Sequence, residues 1–146
     1  MRPQWRRFRV SLFLVFFLLA ACAKDDPRAA LDAAAGEFQA ALEAKETGRV
    51  LDLLHPAFTV QGADDGRDWA RRTMVSMFMR YKTVTIVVPW RRSELDSRVP
   101  DRAATEAEVT LLGAEGLLPE SARHFRVRLE WGREGRAWKV TRLTWA

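Results

Sequence analysis

Two histidines and a pair of adjacent carboxylates are the side chains of this 146-residue chain best suited to moving a proton. His55 stands at the end of RVLDLLHP, and a neutral imidazole there can exchange protons near pH 7. Asp64 and Asp65 lie in the loop QGADDG, where one carboxylate can face inward while the other caps a following helix at its positive end. His55 or Asp64 is therefore the candidate general base. The competing assignments are a histidine that packs against its helix end and aspartates that cap or meet solvent. Asp101 and His124 lie in connections, and no spacing unites them with His55. Without a cluster of Cys, Asp and Glu at ligand spacing, neither a metal nor another cofactor is expected.

Cys22 is the only cysteine, so an internal disulfide is excluded. MRPQWRRFR is a basic leader, and the uncharged run VSLFLVFFLLAACA, residues 10–23, follows it in the order of an export signal. As a helix this run rises about 21 Å at 1.5 Å per residue, short of the roughly 30 Å hydrocarbon core. Ala21-Cys22-Ala23 suits ordinary signal peptidase, which would cut after Ala23. Leu19-Ala20-Ala21-Cys22, with its aliphatic residue, two small residues and cysteine, resembles the lipobox of bacterial lipoproteins. That resemblance implies a diacylglyceryl thioether on Cys22 and cleavage before it. The two or three chains of a lipoprotein cysteine suffice for stable anchoring, where one does not. By the same resemblance Ala23, rather than Asp, after the cysteine implies the outer membrane, facing the periplasm. Arg2, Arg6, Arg7 and Arg9 supply four of the five surplus positive charges, and all precede Cys22. A nucleic-acid partner is accordingly not expected.

The elements that must position any site follow from pattern. Asp26-Pro27 predicts a helix start, with a carboxylate N-cap and proline in the first turn. Leu31, Ala34, Phe38, Leu42 and Lys45 form its stripe, and Gly48 is expected to stop it. Residues 49–56 predict a short second helix that Pro56 ends, with His55 pushed out of helical geometry. A third helix is expected from Asp65 or Gly66, through Ala70, Met74, Met77, Phe78 and Tyr81. TVTIVVPW, residues 83–90, reads as a strand, and alternating apolar residues mark two more, Thr105–Leu111 and Phe125–Trp131. GREG turns the chain into RAWKVTRLTWA. There Trp138 and Val140 are out of phase with Leu143 and Trp145, which predicts a β-bulge near Thr141 or Arg142.

The amphipathic first helix, VLDLLHPAFTV and the final GREGRAWKVTRLTW hairpin together resemble the nuclear transport factor 2-like superfamily, which includes SnoaL-like cyclases, ketosteroid isomerases and scytalone dehydratases. The resemblance implies an α+β fold: three N-terminal helices packed on a curved antiparallel sheet, with a cavity at the open end of the cone. Of the aromatics, Tyr81, Trp90 and Trp131 are the candidates to line that cavity, against the alternative that they form core. The basic set that includes Arg91, Arg92, Arg126 and Arg128 can meet phosphate head groups or an acidic partner, or pair with the glutamates of neighbouring strands.

The expected organisation is a lipoprotein signal peptide over residues 1–21, a lipidated tether over 22–26 and one domain over 27–146. The expected function is a non-catalytic domain, anchored by lipid on Cys22, that binds a small apolar ligand or an envelope protein. The alternatives are an isomerase, dehydratase or cyclase using His55 or Asp64, and a structural subunit that forms a homodimer through its sheet face.

Overall fold

In the computed structural model, which describes residues 26–61, 63, 65–114 and 121–146, the first helix begins as predicted. Asp26 accepts the N–H of Arg28 at 3.0 Å, and Pro27 opens helix α1, Pro27–Glu43. The leader, Cys22 and Asp64 lie outside the described residues.

α1 does not run to Gly48. It ends in a Schellman motif in which the N–H of Glu46 reaches the carbonyl of Ala41 and that of Lys45 reaches Leu42. The left-handed residue of that motif is Lys45, at φ +58°, a position that usually takes glycine. The lysine has a compensating role: its ammonium donates to the carbonyls of Phe78 and Tyr81, at the C-terminal end of the third helix. Gly48 instead lies inside α2, Thr47–Leu53.

A strand, β1 (Leu54–Val60), follows at once, so His55 is extended, as Pro56 dictates. β1 is an edge strand, and Pro56, which has no N–H to give, lies in the stretch between Leu54 and Thr59 where the register against β5 shifts. Then come α3 (Gly66–Arg80), β2 (Thr83–Leu95), β3 (Arg102–Ala114), β4 (Ser121–Glu134) and β5 (Ala137–Trp145). The sheet order is β1-β5-β4-β3-β2. β1 runs parallel to β5, and every other neighbouring pair is antiparallel. The fold is thus α+β with a mostly antiparallel sheet, as the resemblance implies, and departs from it in that β1 lies between the second and third helices and pairs in parallel with β5.

Two bulges set the sheet's inner face. On β5, Val140 lies opposite Trp131 and Arg142 opposite Glu130, leaving Thr141 as the extra residue. The predicted bulge is therefore present, and it brings Trp138, Val140, Leu143 and Trp145 to the core together. The second was not foreseen. Between Val87 and Trp90, β2 carries one residue more than β3, and Pro89, which has no N–H to give a ladder, lies within the irregular stretch. β2 also extends beyond residue 90, to Leu95.

Helices cover both outer strands. On β2, the N–H of Ile86 donates to Glu43 of α1 at 2.7 Å, and its carbonyl accepts from Gln39 at 2.9 Å. On β1, a Cβ added at Gly66 would fall 2.2 Å from the carbonyl oxygen of Phe58, so only glycine lets α3 start this close to the strand. Arg67 fastens the same end by donating to the carbonyls of Leu51 and Leu54. Leu31, Val50, Trp131 and Val140 form the fully buried centre between helices and sheet.

Candidate functional site

α1 crosses the inner face of the sheet without filling the space beneath it. A cavity of about 200 Å³ remains, bounded by Phe38 and Leu42 of α1, Ile86 of β2, Phe125 and Val127 of β4, and Leu143 of β5. The strand alternation accounts for the apolar wall, because Ala107, Val109 and Leu111 face inward while Glu106, Glu108 and Thr110 do not. Few polar side chains border it. Gln39 spends its amide N–H on Ile86. Thr105 accepts the indole N–H of Trp131 at 3.0 Å and shares a hydrogen bond with the buried Ser93 hydroxyl at 2.9 Å. Among the described residues of the lining, Arg91 is the only charged side chain.

The residues singled out from the sequence are dispersed. His55 Nδ1 accepts the N–H of Ala57 at 3.0 Å in a local turn at the start of β1, away from the cavity. Asp65 occupies the N-cap position of α3, but its side chain does not cap. It binds Arg72 at 2.8 Å, and that guanidinium holds its carboxyl below the usual carboxylate range. His124 shares a hydrogen bond with Thr110 on the exposed side of the sheet. Tyr81 is buried against Gly113 beside the end of α3. Trp90 is 44% exposed and lies across from Glu108, whereas Trp131 is 1% exposed in the core. None of these three lines the apolar cavity. Among the described residues, no group of three or more His, Cys, Asp or Glu side chains is placed to hold a metal.

A larger hollow, about 630 Å³, opens on the opposite side of the sheet among Glu94, Asp96, Arg102, Arg128, Glu130 and Arg142. Its size does not make it the better site. Three acids and three arginines balance there; Arg128 pairs with Glu106 at 2.6 Å and lies 3.8 Å from Glu130, and Glu94 pairs with Arg92. Exposed pairs of this kind give a solvated, largely neutralised surface. The apolar cavity, in contrast, has an unfilled interior and a wall that water wets poorly.

What the sequence reading missed was the identity of the lining. The inward rows are legible from alternation, but aromatic type points to Trp131, which the core consumes, and to Trp90, which is exposed. Arg91 was grouped with surface arginines because the β2 bulge that turns it inward was not visible.

No protein-family model matches the sequence, and comparison with curated proteins by sequence finds no match. Solved structures do resemble it. A Bdellovibrio bacteriovorus protein, Bd1075, superposes with a TM-score of 0.67 at 11% identity over 80% of this chain, which spans only 40% of that protein. A Nostoc punctiforme protein of unknown function with a cystatin-like fold gives 0.63 at 15% identity, covering 81% of this chain and 88% of its own. The LinA-type3 hexachlorocyclohexane dehydrochlorinase of Novosphingobium barchaimii gives 0.64 at 19% identity, covering 82% and 84%. The neighbours thus include both an enzyme and a chain of unknown function, and what they share with this chain is the cystatin-like, nuclear transport factor 2-like fold.

Proposed function

We propose that the chain is a lipid-anchored envelope protein whose domain holds a small, largely apolar ligand without transforming it. The observation that carries this reading is the cavity under α1: an apolar wall with no carboxylate or imidazole among the described residues that line it. General acid–base chemistry needs such a group within hydrogen-bond reach of the substrate. His55, the histidine candidate, is turned toward its own backbone instead. The anchor rests on the leader and the lipobox ending at Cys22, with the periplasmic face of the outer membrane as the proposed location.

Mass spectrometry of the full chain, purified from the membranes of an expressing bacterium, tests both parts. The N-terminal peptide is expected to begin at Cys22 and to carry the added mass of diacylglycerol, and Cys22→Ser should release the protein from the membrane. A start at Lys24 would overturn the anchor. Under native conditions a small ligand should travel with the domain. Ala107→Phe, which fills the cavity, should lose that ligand while remaining folded. An equal yield of ligand from this variant would overturn the binding site.

A further inference from the structure

We infer that the cavity selects ligands with an anionic head, a carboxylate on a short apolar body, and that Arg91 is the residue that makes the selection. The inference rests on the ligand-binding reading above and adds the class of ligand.

Arg91 occupies an unusual place for a charge. Ile86 pairs with Leu111 on the inner face of the sheet, and strict alternation from Ile86 would turn residue 91 outward. The extra residue between Val87 and Trp90 resets the phase, so that Arg91 pairs with Ala107 and Ser93 with Thr105, both on the inner face. Arg91's row continues through Ala107 to Val127 and Trp145, all apolar. A cation has therefore been placed at the end of a row whose next two members, Ala107 and Val127, line the cavity.

The surrounding arginines are committed elsewhere. Arg92 pairs with Glu94, Arg126 with Glu108 and Arg128 with Glu106. The Arg91 guanidinium has no hydrogen-bond or ion-pair partner among the described residues. Its side chain is exposed, which fits a stem lying along the apolar wall with its head at the mouth. A planar fork of N–H donors there matches the two oxygens of a carboxylate. The neighbouring Thr105, one register step along the sheet where it pairs with Ser93, does not compete for such a head, because its hydroxyl is already engaged by Trp131 and Ser93. The apolar body must then enter first and the anion remain at the rim.

Volume bounds the body. An apolar cavity of about 150 Å³ accommodates benzene. The 200 Å³ present here suits an aromatic ring or a medium-length alkyl chain.

Isothermal titration of the purified chain with octanoate and with 1-octanol provides the test, in wild type and in Arg91→Gln. Octanoate is expected to bind wild type about tenfold more tightly than octanol, as a charge-assisted hydrogen bond at a half-wet rim would give. Arg91→Gln should remove that preference by weakening octanoate far more than octanol, and the preference in wild type should shrink with added salt. Equal affinities in wild type, or a preference that survives Arg91→Gln, would overturn the selection while sparing the cavity as a binding site. Failure of both compounds to bind wild type would overturn the cavity as a binding site and the selection with it. An unchanged thermal midpoint for the variant shows that its loss is not one of folding.

Discussion

Asp96 accepts the backbone N–H groups of Arg98 at 2.7 Å and Val99 at 3.0 Å, closing the turn between β2 and β3. Those two hydrogen bonds hold its carboxyl below the usual value of 3.8, with nearby arginines adding to the effect. A depressed pKa in the folded state stabilises the fold above the unfolded pKa, and that contribution is lost as pH falls through the folded value. Denaturant midpoints measured from pH 5 to pH 2 should therefore fall at the acid end. Asp96→Asn keeps the acceptor and removes the titrating proton, so its acid limb should be shallower. Thr105 also holds two partners, both of them buried. Thr105→Val keeps the shape but strands the buried indole N–H of Trp131 and the Ser93 hydroxyl. The cost should be about 1–3 kcal/mol, read from urea unfolding, with Thr105→Ser losing less. Residue type alone was a poor guide at this scale. Tryptophan at 90 and at 131 is the same side chain, yet one is exposed and the other is the largest fully buried group.

At the scale of elements, the two bulges differ in how far the sequence disclosed them. The one at Thr141 was legible because four large apolar residues of β5 can share a face only if the strand carries an extra residue. The one in β2 was hidden, since Val87 and Val88 suit either face and Arg91 reads as solvent-facing. The end of α1 was misread for a related reason: Gly48 is the residue type that stops helices, but Lys45 gains carbonyl partners from α3 that no local pattern could announce. Deleting Thr141 should rotate Leu143 and Trp145 out of the core. Removing two large apolar side chains from the interior costs about 1.5–3 kcal/mol each, so the deletion should be destabilised by several kcal/mol in denaturant titration. Replacing Thr141 by alanine keeps the register and should cost far less.

Across the whole molecule, the pairing of Leu54 with Val140 binds the two ends of the domain into one sheet. Sequence pattern could show that both segments are apolar and extended, but not that they are neighbours. The cavity inherits the same limitation: its walls come from α1, β2, β3, β4 and β5, and what they leave unfilled depends on how α1 crosses the sheet. Long-range closure also means that the edge strands are exposed until the helices settle on them. Glu43 and Gln39 then occupy the N–H and carbonyl of Ile86. The double variant Gln39→Ala/Glu43→Ala should raise light scattering during refolding, more than its loss of stability accounts for.

That last pair of side chains has a consequence for how the chain tolerates change. A free strand edge is a template on which another chain can lay down a β-ladder and grow a fibre. By answering Ile86 from within the same molecule, α1 removes the first rung of such a template. Positions 39 and 43 should accordingly be far less permissive in a saturation scan than other polar positions on the helix, since substitutions there alter what a crowded cell does with the half-folded chain.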